Sequence, residues 1–273
     1  MQQRKLISMT SVDFRNIKLF LFDMDGTLYL GDKLFDFTSE LLKKIKDNGG
    51  RYLFMTNNSS KSVKDYVKKL ESLGIKATSE DFITSSQATA YYLKKHYADK
   101  VLYVCGTESL KEELRKEGFS ITDDVEKTQC IVMGFDTELT FKKLHDVSFM
   151  LNTRELPYIA TNPDYVCPTE FGAVPDCGSV CDMIYNATGK RPVVIGKPEP
   201  LMPILAMEKY GVSGEETAVI GDRIYTDVKS GINAGCVSVL VMSGETTEEI
   251  LNSSIDKPDL VLTSAKEILE VIK

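Results

Sequence analysis

The sequence predicts an α/β protein whose main domain contains a parallel sheet and carries a second, smaller α/β domain inserted into it. Short apolar runs alternate with amphipathic segments along almost the whole chain, a pattern typical of parallel sheets covered by helices. A second series of such segments occupies residues 82–187, which is enough for a small inserted domain. The predicted division is therefore a core domain at 1–81 and 188–273, with the inserted domain at 82–187.

The apolar runs predict the strands. The first run, residues 19–22, is too short for a helix and has no polar face, so we expect a buried strand there. The other predicted strands, in chain order, are residues 51–55, 101–105, 130–134, 158–161, 193–196, 217–220 and 237–242.

Amphipathic segments between these runs predict the helices. In residues 63–73 the apolar side chains keep a helical spacing, and Gly74 stands where a C-terminal cap belongs. Thr246 and Glu249 have the spacing of a capping box, which marks the start of another helix. The remaining predicted helices are residues 40–47, 109–116, 141–151, 178–188 and 201–210.

Composition argues against several classes of function. The 273 residues carry a net charge of −7 without a lysine–arginine cluster, so nucleic acid and anionic membranes are not expected partners. Two histidines and six dispersed cysteines argue against a zinc site and against a Ser-His or Cys-His nucleophile. No stretch has the length of a signal-peptide core or a membrane span, so a cytoplasmic protein is predicted. Cys177 and Cys181 are close enough to pair, but a disulfide is not expected in a cytosolic chain.

Two aspartates follow the first predicted strand. Asp23 and Asp25 are two residues apart, and Gly26 indicates that the chain is already turning there. Carboxylates crowded at the carboxyl end of a buried parallel strand repel each other unless a cation or a shared proton lies between them. The competing interpretation is a plain Asp-Gly turn in which Asp23 serves as a cap.

Three further predicted strands end at polar groups. Because parallel strands end on the same side of a sheet, we expect all four groups to meet at one edge. Carboxylates without Cys or His partners favour Mg²⁺. Such a set suits phosphoryl transfer, since one carboxylate can attack phosphorus, a second can act as acid and base, and a lysine and a hydroxyl can hold phosphate oxygens. The four groups are Asp23 with Asp25, Thr56 with its asparagines, Lys197, and Asp222 with Asp227.

These motifs resemble, in order, the four motifs of the haloacid dehalogenase superfamily. They are Asp23-Met-Asp-Gly-Thr-Leu, Thr56-Asn-Asn-Ser, Lys197-Pro and Gly221-Asp-Arg-x-x-Thr-Asp, and together they span nearly the whole chain. The resemblance implies a Rossmann-like doubly wound parallel-sheet core with an inserted α/β cap domain. It also implies a Mg²⁺-dependent phosphatase that hydrolyses small phosphate monoesters through an aspartyl phosphate.

The resemblance implies a role for each motif residue in catalysis and phosphate binding. Asp23 is expected to be the nucleophile and Asp25 the general acid and base. Thr56, Asn57 and Lys197 are expected to bind the phosphate group.

The same resemblance implies a metal site. Asp222 is expected to bind Mg²⁺ directly, together with Asp23 and the main-chain carbonyl of Asp25. Asp227 is expected to support that site by orienting towards the metal-bound waters or the lysine.

Motif spacing selects a branch of the superfamily. Only 33 residues separate Asp23 from Thr56, whereas 141 separate Thr56 from Lys197, so a cap fits only in the second interval. This arrangement resembles the type IIA cap of p-nitrophenylphosphatase-like and NagD-like phosphatases. Residues 160–164 are similar to a cap signature of that branch, and we hypothesise that Asn162 and Asp164 help form the cap loop that faces the substrate. A plain Asn-Pro-Asp turn is an equally good interpretation.

Three alternatives remain beside the phosphatase. Carbon–halogen hydrolysis needs the nucleophile but neither the metal nor Asp25, and the acidic pair Asp222 and Asp227 argues against it. A phosphomutase usually carries its cap between the first two motifs, and a non-catalytic phosphoryl-binding regulator of the receiver type is far shorter. The substrate stays open among sugar phosphates, nucleoside monophosphates, phosphoglycolate-like acids and pyridoxal phosphate, and a homodimer is left open too.

Overall fold

The computed structural model describes residues 12–169 and 171–272. Its strands are β1 (Leu19–Phe22), β2 (Tyr29–Leu30), β3 (Lys33–Leu34), β4 (Arg51–Thr56), β5 (Phe82–Thr84), β6 (Leu102–Cys105), β7 (Cys130–Met133), β8 (Tyr158–Ala160), β9 (Val166–Thr169), β10 (Gly172–Pro175), β11 (Val193–Val194), β12 (Thr217–Gly221), β13 (Val237–Val241) and β14 (Leu260–Leu262). Its α-helices are α1 (Thr38–Asp47), α2 (Val63–Ser72), α3 (Ser85–Tyr97), α4 (Glu108–Lys116), α5 (Phe141–Thr153), α6 (Cys177–Thr188), α7 (Leu201–Tyr210), α8 (Lys229–Ala234), α9 (Glu248–Ser253) and α10 (Ile268–Val271). A π-helical turn covers Ile224–Val228.

The larger sheet positions the first aspartates. Its strand order is β14-β13-β12-β1-β4-β5, and β1 pairs in parallel with both β12 and β4. All four residues of β1 are buried, as expected for a strand that is covered on both faces. In the register, Phe22 at the end of β1 lies opposite Ile220 of β12 and Phe54 of β4. The polar residues that follow β1 and β12 therefore begin at the same edge of the sheet.

The smaller sheet has the order β11-β8-β7-β6, and its strands are all parallel. Helices α5 and α6 cover it through a buried cluster that includes Ile131, Met133, Val147, Met150 and Ile184. With two parallel sheets and covering helices, the structure confirms the predicted α/β class.

One strand lies in a different sheet from the one that the sequence predicted. Residues 193–196 were expected to return to the core domain, but β11 pairs in parallel with β8 of the smaller sheet. The strand has only two residues, and Ile195 and Gly196 continue its hydrogen bonding to the segment after β8. Lys197 therefore follows a strand of the smaller sheet, and the prediction that all four polar groups end strands of one sheet is wrong for this residue.

The chain folds into two compact units. One contains the described residues up to Phe54 and from Pro203 onward, and the other is Met55–Met202. The sequence-based boundaries at residues 82 and 187 differ from these and stay a prediction.

Several elements were not predicted. The hairpins β2–β3 and β9–β10 are built from strands of only two and four residues, which carry little periodic signal. Helix α3 buries mainly small and hydroxylated residues, such as Ser85, Ser86, Ala88 and Thr89, so it lacks the apolar stripe that marks an amphipathic helix.

The six cysteines are all free. The sulfurs of Cys177 and Cys181 lie 3.9 Å apart in the core of the second unit, without a bond between them. None of the helices in the described part of the chain has both the length and the hydrophobicity that a membrane span requires.

A half-buried glutamate links two helices of the second unit. Glu113 of α4 accepts a hydrogen bond from the main-chain N–H of Val63 at 2.7 Å, at the first residue of α2. Its other carboxylate oxygen, Oε2, is buried without a hydrogen-bond partner. Burial raises the pKa of Glu113, because the charged form loses its hydration there.

Glu113→Gln is expected to raise the free energy of unfolding at neutral pH relative to the native chain. A raised pKa means that the folded state binds the proton more tightly than the unfolded state. The stability that this group contributes is therefore present below the unfolded pKa and is lost as pH rises through the folded one. Urea unfolding at about pH 4 and about pH 7 should show a gain that widens with pH. Glu112→Gln, an exposed change on the same helix, is the matched control, and a gain that does not depend on pH would contradict the assignment.

Candidate active site

The chain turns sharply after β1 and separates the two aspartates. The carbonyl of Met24 accepts the N–H of Leu28 at 2.9 Å, and the N–H of Gly26 bonds the carbonyl of Tyr29 at 2.7 Å. Gly26 has a φ of +82°, which a side chain would strain. Asp23, half-buried, continues the ladder through its N–H to the carbonyl of Ile220, 2.8 Å away.

Asp25 lies within this turn and is exposed. Its carboxylate accepts a weak hydrogen bond from the N–H of Gly31 at 3.4 Å, in the tip of the β2–β3 hairpin. Strand β1 ends before the two aspartates, so Asp23 and Asp25 do not lie on the same face of an extended strand. The turn at Gly26, which the sequence predicted, is the reason.

Three carboxylates gather at the ends of β1 and β12. Oxygen atoms of Asp23, Asp222 and Asp227 all lie within 4.8 Å of one another. Asp222 and Asp227 are buried. Among the described residues, the carboxylate of Asp25 is not part of this cluster. The predicted metal contact of Asp25 was through its main-chain carbonyl, and it stays a prediction.

Asp222 is enclosed by hydrogen-bond donors and by glycines. One carboxylate oxygen accepts the main-chain N–H of Glu245 at 2.7 Å, and the other lies 3.4 Å from the hydroxyl of Thr27. A Cβ atom on Gly244 would approach this carboxylate to 2.0 Å, and one on Gly26 to 2.7 Å. Only glycine allows the two loops to come this close to the carboxylate, so both glycines are needed for its position.

Asp227 is held by the turn that follows β12. It lies in the π-helical turn, a rare conformation that is frequent at functional sites. Its carboxylate accepts the N–H of Arg223 at 3.0 Å. Ile224 and Val228 of the turn pack with Leu240 of β13, which anchors the turn on the sheet.

The cluster fits a hard divalent cation. Three carboxylates this close repel one another in a partly buried setting, and a cation offsets that repulsion. Their oxygen donors, without a sulfur or imidazole ligand, suit a cation such as Mg²⁺, Ca²⁺ or Mn²⁺. Asp23, Asp222 and Asp227 are thus the residues that could hold a metal.

The predicted phosphate-binding residues come together in the second unit. The ammonium group of Lys197, which is buried, donates to the carbonyl of Met55 at 3.3 Å, next to Thr56 in the chain. The Thr56 hydroxyl oxygen accepts the N–H of Asn58 at 3.2 Å and keeps its own hydrogen as a donor. Lys197 and Thr56 are therefore neighbours, although their strands belong to different sheets.

Asn57 lies between these two residues and is fully engaged by the protein. Its side-chain oxygen accepts the N–H of Lys197 at 2.8 Å. Its side-chain nitrogen donates to the carbonyl of Lys197 at 2.9 Å and to the carboxylate of Asp164 at 3.1 Å. An amide has two N–H donors, and both are used here. Any contact of Asn57 with phosphate thus falls to its main-chain N–H.

Asn162 and Asp164, expected in a loop facing the substrate, are both buried. Asn162 donates from its side chain to the main-chain carbonyl of Asn57 at 2.8 Å and to the carboxylate of Asp176 at 3.4 Å. Asp176 in turn caps the N-terminus of α6. In this unit the two residues therefore bind protein groups, which neither of the two sequence-based interpretations had anticipated.

Homologous proteins align with this chain over almost its whole length. The 5'-nucleotidase YutF of Bacillus subtilis is 35% identical over 94% of this chain and 100% of its own length. The acid sugar phosphatase of Staphylococcus haemolyticus is 33% identical over 89% of this chain and 92% of its own length. The chain belongs to the haloacid dehalogenase-like hydrolases. The family model of that description matches residues 20–120, and a second, HAD-hydrolase-like model matches residues 194–268.

Solved structures of this family agree with the fold. The 4-nitrophenylphosphatase of Thermotoga maritima has a TM-score of 0.90 at 40% identity and covers 95% of this chain and 99% of its own. NagD of E. coli has a TM-score of 0.84 at 30% identity and covers 92% of this chain and 98% of its own. The predicted resemblance to NagD-like and p-nitrophenylphosphatase-like proteins is confirmed. The prediction of an enzyme is confirmed too, because the relatives are named as phosphatases and a nucleotidase.

Two residues beside the acidic cluster carry no motif signal in the sequence. Gly244 and Glu245 contact Asp222 only because the loop after β13 folds back over the end of β12. Thr27 also lies near Asp222, but it belongs to the first motif and comes from the turn after β1. Gly244 follows two residues after the apolar run 237–242, and a glycine at such a strand end is the one hint that sequence offers.

Proposed function

We propose that this chain is a Mg²⁺-dependent phosphatase that hydrolyses small phosphate monoesters through an aspartyl phosphate on Asp23. The observation that carries the proposal is the carboxylate cluster of Asp23, Asp222 and Asp227 at the ends of neighbouring parallel strands. Family membership supports it, since the matched relatives are named for hydrolysis of phosphate esters.

The first chemical step uses both aspartates of the turn after β1. A carboxylate oxygen of Asp23 attacks phosphorus, forming the aspartyl phosphate while the bond from phosphorus to the ester oxygen breaks. Asp25 gives its proton to the departing alcohol oxygen. The exposed position of Asp25 supports this role, because the group must reach substrate and water.

The second step returns the enzyme to its starting state. Asp25, now ionised, takes a proton from a water molecule as that water attacks phosphorus. The bond between phosphorus and the Asp23 oxygen breaks, and inorganic phosphate leaves. Asp23 and Asp25 thus recover their original charges, and one water is consumed for each ester hydrolysed.

The metal-binding residues would be Asp23, Asp222 and Asp227, whose carboxylate oxygens lie close together. The resemblance to the superfamily adds the main-chain carbonyl of Asp25 as a further expected ligand. When bound, Mg²⁺ supplies positive charge that offsets the charge of the phosphate and of the carboxylates. Asp222 and Asp227 are suited to a fixed site because main-chain N–H groups of Glu245 and Arg223 orient their carboxylates.

Phosphate oxygens would be bound by the Thr56 hydroxyl, the main-chain N–H of Asn57 and the ammonium of Lys197. Lys197 supplies a point charge, and Thr56 and Asn57 supply directional donors. The short distances between Lys197, Met55 and Asn57 support this grouping.

The names of the relatives suggest where to look for the substrate. A 5'-nucleotidase and acid sugar phosphatases are among them, so we propose nucleoside monophosphates and sugar phosphates as the first substrates to test. The inserted cap at 82–187, a homodimer and a cytoplasmic location are retained as proposals.

Hydrolysis of p-nitrophenyl phosphate in excess Mg²⁺ and in EDTA tests the proposed function. We expect turnover with Mg²⁺ and its loss in EDTA, with recovery when Mg²⁺ is added back. Turnover that persists in EDTA would remove the metal from the proposal. Absence of turnover with this ester and with representative sugar and nucleoside phosphates would favour the phosphoryl-binding regulator instead.

A further inference from the structure

The side chain of Asn57 hydrogen-bonds both main-chain groups of Lys197, the N–H and the carbonyl. Its amide accepts from the N–H of Lys197 at 2.8 Å and donates to the carbonyl of the same residue at 2.9 Å. Two hydrogen bonds to a single residue fix the position and the rotation of its main chain. Gly196 permits this approach, because a Cβ atom there would meet the Asn57 oxygen at 2.6 Å.

Asp164 ensures that the Asn57 amide has only one workable orientation. Its carboxylate accepts the second N–H of that amide at 3.1 Å. Rotating the amide by half a turn would place its oxygen against the Asp164 carboxylate and the Lys197 carbonyl, both of which only accept hydrogen bonds. Asp164 therefore opposes the wrong orientation by charge as well as by the loss of a hydrogen bond.

The main chain of Asn57 is fixed independently of its side chain. Its carbonyl accepts from the Asn162 side chain at 2.8 Å and from the Ser85 hydroxyl at 2.6 Å. All of these residues are buried, so each polar group depends on its partner and the arrangement has little freedom.

We propose that Asp164, acting through Asn57, is a positioning residue for the Lys197 ammonium. The inference rests on the proposed phosphatase function, in which Lys197 binds the phosphate group. Every substrate carries that group, so Asp164 influences binding of the phosphate and leaves the choice of the alcohol part unchanged. This role differs from the one predicted from the sequence, in which Asp164 helps form a cap loop that faces the substrate.

The first test measures Asp164→Ala on three chemically different esters. We expect kcat/KM to fall about tenfold, and by the same factor for p-nitrophenyl phosphate, a hexose phosphate and a nucleoside monophosphate. The inhibition constant of inorganic phosphate should rise by a similar factor. Losses that differ between the esters would show that Asp164 contacts the alcohol part, and would overturn the proposal.

The second test asks whether the effect passes through Lys197. In a Lys197→Ala background, Asp164→Ala should produce no additional loss, because the group that it positions is gone. A loss that simply multiplies with that of Lys197→Ala would mean an independent or general structural role. Asn186→Ala, an exposed asparagine on α6, controls for side-chain truncation in the same unit.

A conservative variant keeps the test valid if the alanine variant folds poorly. Asp164→Asn retains an oxygen that can accept from Asn57, so its kcat/KM should stay within about threefold of the native value. A loss as large as that of Asp164→Ala would contradict the proposal, provided that thermal unfolding shows both variants folded.

Calorimetric titration with inorganic phosphate in excess Mg²⁺ separates this inference from the proposed function. If the native chain binds phosphate but hydrolyses no ester, the phosphatase proposal fails while the positioning role is still decided by the binding constants of the variants. If the native chain neither hydrolyses esters nor binds phosphate, both proposals fall.

Discussion

Asp23→Asn is expected to lower kcat for p-nitrophenyl phosphate by at least about 10⁴-fold, because the amide cannot form the aspartyl phosphate. The change is nearly isosteric, and the main-chain bond from Asp23 to Ile220 does not involve the side chain. The fold should therefore persist. Steady-state kinetics, with circular dichroism to verify folding, measures the effect.

Asp25→Asn offers an informative comparison for that experiment. Nitrophenolate departs without a proton, so the variant should still form the aspartyl phosphate, but it lacks the base that activates water. We expect acid-quenched samples of Asp25→Asn to retain covalently bound phosphate, and samples of Asp23→Asn to retain none. Undiminished turnover in Asp23→Asn would exclude Asp23 as the nucleophile.

Asp222→Asn is expected to separate stability from activity. In EDTA the variant should be more stable than the native chain by about 1–2 kcal/mol, because one of three mutually repelling carboxylates is neutralised. In excess Mg²⁺ the native chain should gain stability by binding the ion, whereas the variant should gain much less. Activity should fall by about 10²-fold or more, because replacing a metal ligand, or a residue that orients one, weakens both metal binding and catalysis. Urea unfolding with and without Mg²⁺ measures the two opposite effects.

Asp47→Asn makes the same chemical change at the exposed end of α1 and is the matched control. It should leave both the activity and the response to Mg²⁺ unchanged. A decrease in the metal-free stability of Asp222→Asn would mean that its hydrogen bonds with Glu245 and Thr27 outweigh the repulsion within the cluster.

Much of the larger sheet could be predicted because its strands are short, continuous and apolar. The predicted bounds of β1 are those observed, and β4 and β12 extend the predicted strands by one residue each. Helix α3 was not predicted because its buried face consists mainly of small and hydroxylated residues. Strand β11 was found but placed in the wrong sheet, since an apolar run does not say which strand it pairs with.

The candidate site, like the fold, was predictable only in part. Its carboxylates could be identified from sequence because they follow buried strands, and β1 and β12 are parallel neighbours, so Asp23 and Asp222 had to begin at one edge. The contacts of Asp222 with Gly244 and Glu245 could not be identified, because these two residues lie in a loop that follows a different strand.

The sequence by itself determined which residues could carry the chemistry, since nucleophile, acid, cation and metal ligand are properties of side-chain type and motif order. Tertiary structure alone decided which of them meet. The turn at Gly26 leaves the carboxylate of Asp25 outside the cluster, and the π-helical turn brings Asp227 into it. The tertiary structure also determined that Asn57 and Asp164 bond to protein groups. A buried amide or carboxylate must form its hydrogen bonds with the groups that the fold places next to it.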